Sequence, residues 1–115
     1  KTTYLQARQR ALAETRHGLR ALFKEYQLDA IIAPTIGPAW PIDYEKGDVV
    51  LGGFSTYPAV AGFPHISLPM GEVSNLPVGL SISHLQGQDN ALINLAASVE
   101  SILNFKVKPD LPDTN

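Results

Sequence analysis

The chain contains no cysteine among its 115 residues. Disulfide bonds, thiolate metal sites and a cysteine nucleophile are therefore excluded, while the redox compartment is left open. Charged residues make up only 17% of the chain, below the roughly 25% of an average soluble domain. This low fraction favours a chain with many contacts to other protein. The formal net charge of −2 gives no overall basic signal, so no nucleic-acid partner is predicted.

Long apolar runs are also lacking. No stretch reaches the ~18 apolar residues that predict a membrane-spanning helix, so we expect no membrane partner. No signal peptide is visible, because the chain opens on Lys1 and a polar turn. A cytoplasmic location is favoured, although the compartment stays open. Since residue 1 is not methionine, we expect that the sequence was cut from a longer protein or lost its start.

Motifs for metal and phosphate binding are lacking as well. The histidines do not have the spacings of zinc sites, and no phosphate-binding glycine motif is present, so we predict no metal and no cofactor. A Ser–His pair could form across the hairpin that contains His65, but a partly buried structural histidine is favoured. Ser55 follows two glycines, but no base is recognisable beside it, so a loop or helix-cap role is favoured over a nucleophile.

The first part of the chain predicts an amphipathic helix over 3–27. Six of the nine Lys and Arg residues lie in the first 24 positions. A solvated helix face is favoured for them, with a nucleic-acid patch as the alternative. Apolar residues repeat every seven positions, which predicts a packing stripe. The stripe consists of Leu5, Leu12, Leu19 and Tyr26, with Ala11, Leu22 and Phe23 beside it.

The rest of the chain alternates strand and helix patterns. The almost wholly apolar run at 29–33 predicts a strand buried on both faces. Two further runs predict an antiparallel hairpin around a turn at 71–75. Segment 34–55 is an irregular loop of a length that is usually functional or disordered. The predicted strands are 29–33, 65–70 and 78–84, and the predicted helices are 3–27, 56–62 and 90–104, the last capped by Asp89.

Four segments, in this order, resemble the C-terminal part of the amidase signature family. They are Asp29 to Thr35, 55–71, Leu76 to Ser81, and the last helix with Leu95, Ala96, Ala97 and Glu100. The loop at 37–41 and the Pro64-His65 and Pro69-Met70-Gly71 elements look most like bacterial members similar to peptide amidases. The resemblance implies an α/β fold, with a mixed-sheet fragment of about three strands and three helices. This segment would span 1–105, followed by a loose tail at 106–115.

The resemblance implies amide hydrolysis in the complete enzyme, with a small amide or a peptide amide as substrate. The family's catalytic serine, its second serine in a cis peptide bond and its lysine belong to an N-terminal half, which would be this chain's partner. No catalytic residue is therefore assigned here, since Lys46, Lys106 and Lys108 match no family motif. A stand-alone, non-catalytic binding or assembly module is the alternative function. The uncovered strand edges of an isolated fragment predict self-association.

The candidate substrate-pocket residues are Trp40, Gly52, Gly53, Ser55 and Thr56. Family members that bind glutamine for tRNA-linked amidation have an acidic residue just before the helix that matches 55–61. A glycine stands there in this chain, which argues against an amidotransferase and leaves room for a bulkier or less polar substrate. In the alternative interpretation, Trp40 only packs in the apolar core, and Gly52 and Gly53 only allow the backbone to turn.

Overall fold

The computed structural model describes residues 2–50 and 52–106. Within these residues the chain forms three α-helices and a three-stranded sheet, which confirms the predicted α/β class. None of these helices is long and apolar enough to cross a membrane. Apart from Lys106, the predicted tail at 106–115 lies outside the described residues. In chain order the elements are α1 (Thr2–Glu25), β1 (Ile31–Pro34), α2 (Thr56–Ala61), β2 (His65–Val73), β3 (Leu76–Ser83) and α3 (Asp89–Leu103).

Strand β3 lies at the centre of the sheet and pairs antiparallel with both β1 and β2. The parallel pairing that a mixed sheet requires is therefore not found among the described strands. The prediction that β1 is buried on both faces is wrong, because Ile32 is 62% exposed. An apolar run is typical of a strand between two layers, but α3 packs mainly against β2 and β3 and leaves this side chain uncovered.

The hairpin turns later than the sequence predicts. Met70 is the extra residue of a β-bulge, since Pro69 pairs with Gly79 while Gly71 pairs with Val78. The strand then continues to the turn residues Ser74 and Asn75, which have φ values of 53° and 64°. Two consecutive positive φ values match a type I′ turn, whose twist suits antiparallel strands. The predicted turn at 71–75 is thus too long.

The apolar core lies between α3 and one face of the sheet. Ile82 on β3 is completely buried, and Leu92 on α3 is 3% exposed. The predicted cap of α3 is displaced by one residue, because Gln88 is the N-cap and Asp89 begins the helix. A carboxylate in the first turn still favours the helix dipole. The buried cluster consists of Leu68, Ile82, Leu92 and Ala96, with Ala30, Ile66, Leu95 and Val99 packed around it.

Helix α1 buries less of its surface than the sequence predicts. Phe23 is the buried residue of the helix and stacks on His84 with ring centroids 5.8 Å apart. The predicted packing stripe is only partly formed, because a 24-residue helix is about 36 Å long and packs chiefly against the short α2. Leu5, Leu22 and Tyr26 are exposed, and Leu12 and Leu19 are half-buried.

Arg16 connects α1 to the end of α2. Its Nε donates to the carbonyl oxygen of Ala61 at 2.6 Å. Gly62 ends α2 in the left-handed conformation, with φ of 67°. A basic side chain at a helix C-terminus satisfies a carbonyl that has no partner within the helix. One arginine of the predicted solvated face is therefore a structural contact between helices.

Candidate functional site

A polar side-chain cluster lies on the sheet face opposite α3. Alternate residues of a strand point to one face, so His65 and Ser67 on β2 share a face with Ser81 and Ser83 on β3. Ser67 stands directly opposite Ser81 in the register. Thr35 follows β1 and joins this face by contacts to two of these hydroxyls.

Four of these side chains form a continuous hydrogen-bonded chain, which we name the hydroxyl chain (His65, Ser81, Thr35 and Ser67). The His65 Nε2 lies 2.7 Å from the Ser81 Oγ. Ser81 donates to the Thr35 Oγ1 at 2.9 Å. The Thr35 Oγ1 lies 2.6 Å from the Ser67 Oγ. Ser81 is fully buried, whereas Ser67 is exposed, so the hydroxyl chain runs from the interior to the surface.

The burial of Ser81 decides what the His65–Ser81 pair can do. The Ser81 hydroxyl donates to Thr35, and its oxygen lies beside the His65 Nε2, whose donor or acceptor role depends on the tautomer. A serine nucleophile must reach the carbonyl of its substrate, whereas Ser81 is completely buried. The Ser–His contact across the hairpin is therefore present as a buried structural contact.

Thr35 also connects the sheet to a loop through its backbone. Its N–H donates to the Gly79 carbonyl at 2.8 Å, and its carbonyl accepts from the Phe54 N–H at 3.1 Å. A Cβ on Gly79 would lie 2.7 Å from the Ser67 Oγ, and one on Gly53 would lie 2.9 Å from the Thr35 carbonyl. Glycine is needed at both positions because the neighbouring atoms approach too closely for a side chain.

The two ends of the long loop enclose an open recess of about 390 Å³ beside Thr35. Ile36 and Gly53 form an isolated β-bridge between these ends. The ring of Phe54 tilts against His65 with centroids 6.0 Å apart. No charged side chain is among the described residues that line the recess, so it suits an uncharged, apolar group. The lining residues are Ala33, Pro34, Ile36, Gly37, Gly52, Gly53 and Phe54.

The five candidate pocket residues are not brought into one place. Gly52 and Gly53 line the recess, whereas Trp40, Ser55 and Thr56 are not among its lining residues. The Trp40 Nε1 donates to the Asp48 Oδ1 at 3.1 Å across the exposed loop. Ser55 is the N-cap of α2 without a side-chain capping bond, and Thr56 begins that helix. The role of all five in substrate binding stays a prediction.

Thr35 and Phe54 were not predicted as residues of the site. Serines that alternate with apolar residues on β3 indicate a polar strand face, so that part of the hydroxyl chain has a sequence signal. Thr35 has none, because its hydroxyl meets serines 32 and 46 positions away. In the described part of the chain, no group of three or more potential ligand side chains could hold a metal ion.

Comparison with known proteins gives consistent matches. A model of the Amidase family matches residues 1–93. Indoleacetamide hydrolase from Agrobacterium vitis is 33% identical, over 94% of this chain and 26% of that protein. One subunit of the glutamyl-tRNA(Gln) amidotransferase from Clostridium botulinum is 41% identical, over 77% of this chain and 19% of that protein. The X-ray structure of native peptide amidase from Stenotrophomonas maltophilia aligns with a TM-score of 0.85 at 33% identity, over 99% of this chain and 23% of that one.

The chain thus spans about a quarter or less of the length of the proteins it matches. These proteins include both amide hydrolases and part of an amidotransferase, so the overall similarity does not separate these two activities. The likeness to peptide amidases that the loop at 37–41 and Pro64-His65 indicate is confirmed by the shared fold. The family match over residues 1–93 and this structural agreement show that the chain belongs to the amidase family.

Proposed function

We propose that this chain is the C-terminal part of an amide hydrolase and supplies sheet, packing and one wall of the substrate pocket. The observation that carries the proposal is the family match over residues 1–93 in a chain that covers only 26% of an amide hydrolase. The serine, cis-serine and lysine that the resemblance implies then come from the remainder of the enzyme. Among the described residues, the serine of the His65–Ser81 pair is completely buried, so this pair does not replace them.

The lining of the recess favours an amide substrate with an uncharged, apolar side group. Pro34, Ile36 and Phe54 provide apolar walls, and the adjacent glycines allow a ligand to approach the backbone. A charged group placed here would lose water without gaining an ionic partner from the described lining. Gly52 and Gly53 are proposed to contact the substrate directly, and Trp40, Ser55 and Thr56 to contact it once the remainder of the enzyme is in place.

The test compares the isolated chain with the complete amidase that carries it, using simple aryl amides and peptide amides. We expect turnover by the complete enzyme and none by the isolated chain. Turnover by the isolated chain that survives repurification and disappears in Ser55→Ala would overturn the proposal. Ser98→Ala is the matched control, because Ser98 is exposed on α3 and bonds only to its own helix. A parent gene without an upstream catalytic segment would favour the stand-alone binding or assembly module instead.

A further inference from the structure

Thr35 holds three parts of the structure together. It contacts β2 and β3 through its side chain and the loop end at Phe54 through its carbonyl. We propose that Thr35 is a positioning residue that keeps the recess in its binding shape. This inference rests on the proposed function, since it assigns a specificity role within the same pocket.

The sheet side of Thr35 is fixed by the burial of Ser81. The Ser81 hydroxyl is fully buried and has Thr35 as its acceptor. A buried donor that loses its acceptor cannot turn to water, which makes this bond costly to break. Threonine is branched at Cβ and has few side-chain rotamers, so fixing its hydroxyl also restrains its backbone.

The loop side of Thr35 sets the distance between the two ends of the recess. Its carbonyl accepts from Phe54 at 3.1 Å, and the neighbouring Ile36 forms a bridge with Gly53. Gly53 already lies too close to this carbonyl for a Cβ. A shift of Thr35 therefore moves both walls of the recess.

The aromatic wall is joined to the same hydroxyl chain from the other end. Phe54 contacts His65, the imidazole of His65 is hydrogen-bonded to Ser81, and Ser81 donates to Thr35. The backbone N–H and the ring of Phe54 thus both contact members of the hydroxyl chain. Removing the Thr35 hydroxyl loosens the recess without removing any group from the catalytic set, so substrate selection should change while the chemical step does not.

The kinetic test uses the complete amidase and the variants Thr35→Val and Thr35→Ser. Valine has nearly the same shape without the hydroxyl, whereas serine keeps it. We expect Thr35→Val to raise KM about five- to tenfold for an amide with an aromatic side group, as the loss of one hydrogen bond would. The kcat for that amide and the KM for an amide without a side group should not change. Thr35→Ser should restore KM, and Thr15→Val, on α1, is the matched control.

Hydrogen exchange at the Phe54 amide is a second readout that needs no turnover. Thr35→Val should speed this exchange, and Thr35→Ser should return it toward the rate of the unchanged protein. Should Thr35→Val fail to fold, Ser67→Ala removes only the exposed end of the hydroxyl chain, and it should speed exchange by a smaller factor.

Unchanged exchange at Phe54 in the folded variant would overturn the positioning role, as would equal rises in KM for both amides or a failure of serine to rescue. If the unchanged complete protein hydrolyses no amide, the proposed function fails while exchange at Phe54 still decides the role of Thr35.

Discussion

The two faces of the sheet are stabilised by different interactions. On the α3 face, Ile82 and Leu68 are buried by apolar contact, which has no directional requirement. On the opposite face, Ser81 and Ser83 are equally buried, and both hydroxyls have hydrogen-bond partners. Hydrogen bonds constrain distance and angle, so the polar face holds its side chains at defined positions. The apolar face contributes mainly to the free energy of folding. The recess is connected to the polar face, because Thr35 bonds both to Ser81 and to Phe54.

The largest effect is expected from the apolar face. Ile82→Ala should lower the free energy of unfolding by about 2–5 kcal/mol, because a fully buried isoleucine leaves a cavity. Denaturant unfolding of the variant measures this loss. Ile102→Ala is the control, since Ile102 is 82% exposed and should change stability by less than about 0.5 kcal/mol. Similar values for both variants would contradict the assignment of the core.

A smaller loss is expected on the polar face from Gly79→Ala. The new methyl group would meet the Ser67 Oγ at 2.7 Å and the Thr35 Oγ1 at 2.8 Å. Overpacking of this kind costs about 1–3 kcal/mol. Gly71→Ala is the matched control, because a Cβ there has no neighbour within 4 Å. Equal stability of the two variants in thermal unfolding would contradict this prediction. It would show that Ser67 and Thr35 can move away from the new methyl group.

The isolated chain also has exposed apolar surface at the edge of the sheet, and we expect this surface to cause self-association. The radius of gyration of 17.5 Å exceeds the value of about 13 Å for a compact chain of this length. Ile32, on the edge strand β1, is 62% exposed. We expect concentration-dependent oligomers in analytical ultracentrifugation and a shift toward monomer in Ile32→Lys, since charge blocks edge pairing. Ile93→Lys, at a residue 57% exposed on α3, should change the distribution less. A monomer at all concentrations would contradict this prediction.

The smallest effect is expected on α1. Arg10 bonds to Glu14 at 2.7 Å on the helix surface, and this hydrogen bond raises the pKa of Arg10. Such exposed pairs contribute little to folding, so Arg10→Gln should leave the thermal midpoint unchanged. Arg16→Gln removes the hydrogen bond to the Ala61 carbonyl and should lower the thermal midpoint. Equal midpoints for the two variants would show that the contact between α1 and α2 is not needed for stability.

Local sequence patterns predicted most of the elements but not their surroundings. Helix and strand positions followed from apolar spacing, and the antiparallel pairing of β2 and β3 followed from their proximity in the chain. The predicted burial of Ile32 and Leu5 was wrong, because an apolar side chain is buried only where another element of the fold packs against it. The bulge at Met70 was missed because its residues resemble the turn that was predicted there.

Sequence patterns alone are enough to predict the α/β class, the family resemblance and two residues of the recess, Gly52 and Gly53. These depend on residue type and on neighbours within a few positions. The burial of the His65–Ser81 pair and the central place of Thr35 become visible only in the folded chain. Their hydrogen bonds join residues 16 to 46 positions apart, and such contacts depend on how strands are placed beside one another rather than on local preference.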